Sequence, residues 1–331
     1  MARQETTPTR TLGGCHTRMP NPPAPHIQRL GALTTALGEC PVWHGGLLWL
    51  LDCRAGTLFA LNPDTGAVVA QHNLPPPLGS FAFNHDGRAV VALKEAVVAL
   101  DLATGRWERL AQLGCTHPDL RLNDGVSMPD GGFVVGTMHV FREPGEAPLG
   151  GLYRLGPQGQ WDLLDTGLGV TNGPCVNPLN GRLYVADSEA RHIHSYTITP
   201  GGTLTDKRLF VQTNVLQSGP DGCCFDTEGG LWTALVRVGA LVRFGSGGQV
   251  THRIELPVTH PSALCFGGPT LEDLFVTTIS DSGRLRASGP LDGAVLKVTG
   301  LGHQGLARPL CRIGQNPNPT AAPVNTDKET P

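Results

Sequence analysis

Four short stretches of the chain place oxygen-bearing side chains beside apolar strand-like runs. They are Gly38-Glu39-Cys40-Pro41-Val42-Trp43, Arg121-Leu122-Asn123-Asp124-Gly125, Thr171-Asn172-Gly173-Pro174 and Gly219-Pro220-Asp221-Gly222. Glu39, Asn172 and Asp221 offer only oxygen donors, two carboxylates and one amide. Such a set suits a hard cation such as Ca²⁺, Mg²⁺ or Mn²⁺ better than a metal that prefers thiolates, and its charge balances a divalent ion. Each residue alone has a plainer reading, because Asn-Gly and Asp-Gly are ordinary turn dipeptides. Their chemistry therefore depends on a fold that brings all four stretches together.

Internal repeats supply that fold. One pattern, an apolar strand, a glycine turn and a second apolar strand, begins at Trp43-His44-Gly45-Gly46-Leu47 and returns at Phe83–Arg88, Met128–Phe133, Val176–Tyr184, Phe225–Trp232 and Phe266–Val276. A second pattern alternates with it at Leu58–Gly66, Val97–Gly105, Leu152–Gly156, Ile193–Gly202, Leu241–Gly245 and Ala294–Val298. Two hairpin signals per unit mean four strands, and a spacing of roughly 40 to 50 residues is the period of propeller blades. Two β-sandwiches would not alternate in this way, and solenoid turns come more often. The sequence therefore predicts an all-β, six-bladed β-propeller with four-stranded blades around a central channel. The four polar stretches each lie just upstream of a first-pattern hairpin, so they are expected to converge at one end of that channel.

Composition agrees. The 331 residues carry 44 Gly and 28 Pro spread along the chain, as many short elements require, and no long capped 3.6-residue repeat argues for helices. The net charge of −3 comes without a basic cluster, which speaks against nucleic acid or an anionic membrane as partner. There is no apolar run of transmembrane length. The nine Cys show no zinc-type C-x-x-C spacing and read as reduced thiols of a cytoplasmic protein. His192 and His194 alternate on a strand and read as packed or exposed strand histidines. His139 reads first as a packed residue and second as a lining residue of the pocket mouth. Residues 1–26 and 316–331 are expected to be Pro- and Thr-rich disordered tails, and residues 27–315 the propeller.

The four stretches resemble motifs of the regucalcin (senescence marker protein), gluconolactonase and sugar-lactonase family. Gly38–Trp43 matches its glycine-glutamate-x-proline-x-tryptophan motif. Arg121–Gly125 with Gly136-Thr137-Met138 matches arginine-x-asparagine-aspartate-glycine and its downstream partner. Asn172-Gly173 with Asp187-Ser188, and Pro220-Asp221-Gly222 with Leu231-Trp232, match two more. The resemblance runs from about Leu37 to Val298. It implies that Glu39, Asn172 and Asp221 bind one divalent cation, with Ca²⁺ first and Mg²⁺, Mn²⁺, Zn²⁺ or Fe²⁺ as alternatives. It also implies that Arg121 and Asn123 hold a sugar lactone, that Glu146 contacts the substrate, and that Asp221 serves as general base for ring opening. The expected protein is a monomer with a small-molecule substrate. An arylesterase or phosphotriesterase on the same scaffold, or a calcium-binding regulatory propeller, are the rival readings. Cys40, Met128, Val134 and Pro174 depart from the family's usual residues without removing a proposed ligand.

Overall fold

Apolar runs separated by glycine turns pair, in the computed structural model, into six antiparallel sheets of four strands each. The structure describes residues 25–114 and 117–314. Strand β1 (His26–Thr34) comes first. Blade one is β2 (Gly38–His44), β3 (Leu47–Asp52), β4 (Thr57–Leu61) and β5 (Val68–Asn73). Blade two is β6 (Ser80–Phe83), β7 (Ala89–Ala92), β8 (Ala96–Leu100) and β9 (Trp107–Gln112). Blade three is β10 (Leu120–Ser127), β11 (Phe133–His139), β12 (Gly150–Leu155) and β13 (Trp161–Leu168). Blade four is β14 (Thr171–Val176), β15 (Leu183–Asp187), β16 (His192–Ile198) and β17 (Leu204–Gln212). Blade five is β18 (Pro220–Phe225), β19 (Leu231–Leu235), β20 (Ala240–Phe244) and β21 (Val250–Glu255). Blade six is β22 (Pro261–Gly267), β23 (Asp273–Thr278) and β24 (Ala294–Thr299), with β1 as its outer strand. The six-bladed all-β reading of the sequence is the observed fold.

One detail differs. The repeat pattern treats Ala294–Val298 as the first arm of a hairpin, yet β24 pairs with β1, His26 opposite Thr299 and Arg29 opposite Leu296. The first and last strands thus share a blade and close the ring by hydrogen bonds, which completes the sixth blade to four strands. His26 lies in this strand. Pro25 is described just ahead of it, and the rest of the tails expected over residues 1–26 and 316–331 falls outside the described residues.

The core is divided rather than single. Six apolar clusters each fill one interface between adjacent blades. Leu51 and Leu58 of blade one meet Phe81 and Val91 of blade two, and Leu48 and Leu50 meet Phe275 and Val295 of blade six. Inner strands such as β6 and β22 are buried along their whole length, whereas outer strands such as β5 and β21 are mostly exposed. This gradient is why inner strands read as continuous apolar runs and outer ones as polar. After β24 the chain crosses the end of the channel where the inner strands finish. Gly305 bridges Asp226 and Cys311 bridges Asn84, so residues 303–314 close that end.

Candidate functional site

The polar stretches lie on inner strands where pairing breaks. In β2 the register runs Glu39↔Leu51 and then Val42↔Trp49, so Cys40 and Pro41 together face one residue of β3. The same two-against-one bulge holds Asn123 and Asp124 in β10, Gly173 and Pro174 in β14, Asp221 and Gly222 in β18, and Ser262 and Ala263 in β22. Blade two is the exception, its β6 pairing without interruption from Ser80 to Phe83. A bulge kinks the strand and re-aims its side chains. Glu39 and Asn172 hold equivalent positions, the last paired residue before the bulge. Asp221 sits one residue further on, in the bulge itself, the position that Asn123 holds in β10. In a regular strand that offset would turn Asp221 to the opposite face.

Local backbone chemistry supports these kinks. Gly173 has φ +52°, and a Cβ there would sit 2.4 Å from Cys223 Sγ, so only glycine lets blades four and five approach. Its equivalent Cys40 also has a positive φ, 48°, a strained conformation for a side-chain-bearing residue and one that clusters at functional sites. Two buried aspartates fix the strand entries. Asp52 accepts the Ala36 and Leu37 N–H groups just before β2, and Asp187 accepts those of Gly169 and Val170 just before β14.

The side chains then form one connected group. Asn123 Nδ2 donates to Asn172 Oδ1 at 2.8 Å and to Thr171 O at 2.8 Å. Asn172 Nδ2 donates to Ser188 Oγ at 2.8 Å, and Ser188 Oγ donates to Pro220 O at 2.6 Å, next to Asp221. Asp124 accepts the Gly125 N–H at 2.8 Å and the Gly173 N–H at 2.9 Å, tying blade three to blade four. Asn172 and Asp221 are buried; Glu39, Arg121, Asn123 and Asp124 are half-buried. Burial, then the charges of Asp221 and Asp124, push the Glu39 carboxyl well above its usual range, against the pull of Arg121. Burial and then Asp124 do the same to Asp221. Burial raises Asp124 too, opposed by Arg308 and the two N–H bonds.

Three carboxylates so crowded disfavour one another's charge unless a cation joins them. Asp221 Oδ1 is buried with no hydrogen-bond partner, a costly state for an oxygen that a metal would relieve. The donors are all oxygens, so Glu39, Asn172 and Asp221 fit a hard divalent cation.

Of the six residues expected from sequence, five converge here: Glu39, Arg121, Asn123, Asn172 and Asp221. Glu146 stands on the loop 140–149 with its carboxylate facing His117 and His139, and among the described residues no hydrogen bond or ion pair joins it to the other five. His139 is buried rather than lining the mouth. Asp124 and Ser188 belong to the group although sequence reasoning gave them no role. Both lie inside family-like motifs, Asp124 in Arg121–Gly125 and Ser188 in Asp187-Ser188, and that is their only signal in the sequence.

The two ends of the channel differ. At the end where the inner strands begin, the loop 140–149 of blade three meets the loop 279–293 of the opposite blade six. Arg284 Nη1 donates to Val140 O at 2.7 Å and its guanidinium lies 6.0 Å from the Phe141 ring centre. At the other end a cavity of about 220 Å³ lies under residues 306–309, lined by Trp43, Cys175, Cys223, Cys265, Phe266 and Arg308. Burial pushes the thiols of Cys40, Cys223 and Cys265 up to about 12, so they stay protonated. The seven described cysteines are all free. No helix among the described residues is long and apolar enough to cross a membrane.

Known proteins share this plan. Residues 37–280 match the family model described as SMP-30/Gluconolactonase/LRE-like region. A 6-deoxy-6-sulfogluconolactonase of Pseudomonas putida is 31% identical over 83% of this chain and 95% of its own length. An L-arabinolactonase of Azospirillum brasilense is 29% identical over 86% and 95%, and a regucalcin of Xenopus laevis 29% over 83% and 94%. Among solved structures, a calcium-binding protein, regucalcin, of Agrobacterium tumefaciens superposes with a TM-score of 0.77 at 26% identity, covering 85% of this chain and 95% of that one. With the family model spanning most of its length and the propeller reproduced in a solved relative, this chain belongs to the SMP-30/gluconolactonase/LRE-like family.

Proposed function

We propose that this chain is a divalent-metal-dependent carboxylic ester hydrolase that opens a sugar lactone to its hydroxy acid. The observation that carries the reading is the unpartnered buried Oδ1 of Asp221 amid Glu39, Asp124 and Asn172. The names of the lactonase relatives support the substrate class, and the regucalcin relatives support a calcium-type ion.

Glu39, Asn172 and Asp221 would hold the cation. When bound, it supplies Lewis-acid stabilisation of the negative charge that develops on the lactone carbonyl oxygen. Asn123 keeps Asn172 in place through its amide N–H group, which leaves its own Oδ1 to accept a bond from a sugar hydroxyl. Arg121 spends one N–H on Leu122 O and has others for the ring oxygens of the substrate. Asp221 takes a proton from the attacking water as the water oxygen bonds to the carbonyl carbon. The ring C–O bond then breaks and that proton passes to the leaving alkoxide oxygen. Glu146 is left out of substrate contact in this proposal because its carboxylate faces two histidines.

The test is a panel of hydroxylated and apolar lactones, aryl esters and phosphotriesters. The protein is first stripped of metal, then resupplied with one cation at a time. Turnover confined to hydroxylated lactones and restored by a divalent cation is expected. A bound cation with no turnover anywhere on the panel would favour the calcium-binding reading that the regucalcin relatives suggest. Turnover of aryl esters or phosphotriesters alone would move the substrate class.

A further inference from the structure

Outside the channel, among the described residues, two groups of side chains bring metal-ligating atoms within 4.8 Å of one another. The first, Asp226, Glu228 and His303, already holds a cation of its own. Arg243 bonds Asp226 at 2.6 Å and Glu228 at 2.9 Å, and the Trp232 indole N–H and the Gly230 N–H bond Asp226 as well. In the second, His117, His139 and Glu146, no Lys or Arg among the described residues bonds the carboxylate, and Arg142 Nη1 donates to the Glu146 carbonyl at 3.2 Å instead. His117 lies just before β10, His139 ends β11, and Glu146 stands on the loop that follows. His139 Nε2 is 3.8 Å from Glu146 Oε2 and His117 Nε2 is 3.9 Å from Glu146 Oε1. The two rings meet edge to face with centres 4.8 Å apart. The His139 side chain is 0% exposed, and neither of its ring nitrogens has a hydrogen-bond partner. A buried imidazole normally satisfies at least one nitrogen, so its aim toward Glu146 asks for a ligand.

We infer that His117, His139 and Glu146 form a second metal site, for a zinc-type transition-metal cation, separate from the oxygen-lined channel site. Two imidazoles and a carboxylate match the preferences of Zn²⁺, Ni²⁺ or Cu²⁺ and not of Ca²⁺ or Mg²⁺. Tetrahedral bonds of about 2.0–2.1 Å set ligand atoms about 3.3 Å apart. The two imidazoles face different oxygens of Glu146, and the three ligand atoms lie within 4.8 Å of one another, so closing to that value takes side-chain shifts of up to about 1.5 Å. Two of the three side chains have room to make them, since His117 is 33% and Glu146 35% exposed. Local hydrogen bonds compete with binding. The Asp119 N–H donates to His117 Nδ1 at 3.3 Å, which favours the tautomer with its proton on Nε2. Ligation through Nε2 moves that proton to Nδ1 and gives up a long, local bond. Glu146 Oε2 also accepts the Glu143 N–H at 3.1 Å, a bond that a ligating carboxylate keeps through its second lone pair.

The site staples a loop. Val140 and Phe141 directly follow His139, and Val140 O is the acceptor for Arg284 from blade six. A cation held by His117, His139 and Glu146 would pin both ends of the segment 139–146 to blade three, and with it the span over the channel mouth. The inference does not rest on the lactonase reading.

The test uses the full chain stripped of metal. Bound metal is counted after equilibrium dialysis against Zn²⁺ or Ca²⁺, and Co²⁺ is followed by its visible absorption. Zn²⁺ is expected to reach one equivalent more than Ca²⁺, and Co²⁺ to give an intense tetrahedral-type band that excess Ca²⁺ does not remove. Glu146→Gln and His139→Ala should each weaken that extra equivalent at least about 100-fold, beyond the 10- to 100-fold typical of losing a supporting partner. If His139→Ala fails to fold, Glu146→Gln decides. An extra Zn²⁺ that persists in Glu146→Gln, or Zn²⁺ and Ca²⁺ competing for one shared equivalent, would overturn the inference. Loss of Ca²⁺ binding with the extra Zn²⁺ retained would instead count against the channel site alone.

Discussion

The same inner strands line both ends of the channel, yet the two ends are built for opposite tasks. Up to and within the bulges, they present Glu39, Asn123, Asp124, Asn172 and Asp221. Beyond the bulges the pairing resumes, and the lining changes to Trp43, Cys175, Cys223, Cys265 and Phe266 beneath the crossing segment 303–314. Crowded carboxylates and a strained Cys40 oppose stability at the first end. Apolar packing and the paired Asn84–Ile313 hydrogen bonds supply stability at the second. Broken pairing marks where the chain departs from the most stable sheet to aim polar groups. Mutations at the two ends should therefore separate activity from stability.

The largest expected effect is at the first end. Asp221→Asn keeps the shape and one oxygen donor but loses the charge and the proton acceptor. At saturating metal, with occupancy measured separately, kcat should fall about 10²- to 10⁴-fold, the usual loss for a general base. Near-parent turnover at full occupancy would leave Asp221 a ligand only and move the base to Glu39 or Asp124. The melting temperature should hold or rise, because the substitution removes one of three crowded carboxylates.

Asn84→Ala tests the opposite end. Its Nδ2 donates to Ile313 O at 3.1 Å and its Oδ1 accepts the Ile313 N–H at 2.9 Å, all in a buried setting. Losing both leaves the Ile313 backbone groups unpaired, which costs about 1–3 kcal/mol. Denaturant unfolding should report that loss while kcat/KM stays within about twofold, far below the general-base effect. A large fall in kcat/KM at full folding would show that the closed end communicates with the site.

How much of this was legible follows from what each signal depends on. The blades were legible because a glycine turn between apolar runs is a local property, repeated in all six. The closure of blade six was not. Nothing local distinguishes Ala294–Val298 from a hairpin arm, and its partner β1 lies more than 250 residues away in the chain. The ligand candidates were legible as polar residues at a shared blade position, but the one-residue offset of Asp221 was not, since bulges appear only once two strands pair. Glu146 illustrates the limit. A loop residue placed by likeness alone turned out to face His117 and His139, a contact that no spacing in the sequence announces.

A finer contrast separates two neighbours at the first end. Asn123 holds Asn172 Oδ1, whereas Arg121, among the described residues, bonds only its own strand, through Leu122 O. Both substitutions to Ala should lower kcat/KM. Asn123→Ala should also weaken metal affinity, by about tenfold for one lost hydrogen bond to a ligand. Arg121→Ala should not weaken it, since removing a positive charge near Glu39 favours a cation. Equal metal affinity in the two variants would place Asn123 with Arg121, as a substrate contact alone.

The smallest effect is expected from Arg308→Met, which probes the boundary between the two ends. Arg308 faces the cavity from residues 306–309 and, among the described residues, forms no hydrogen bond or ion pair. Its charge acts on Asp124 across the channel. Placing a guanidinium there costs desolvation, and without a paired carboxylate that cost is only partly offset. Met has a similar reach and fills the thiol-lined cavity without a charge, so stability should change by less than about 1 kcal/mol, in either direction. Metal affinity gives the sharper readout. With Arg308 gone, no positive charge below the site repels the cation, and Asp124 loses the partner that favours its ionised form. These two consequences oppose each other, so the apparent Kd for Ca²⁺ should move by no more than about threefold, under 1 kcal/mol. A shift of tenfold or more would mean that Arg308 belongs electrostatically to the metal site, and that the bulges do not mark its lower boundary.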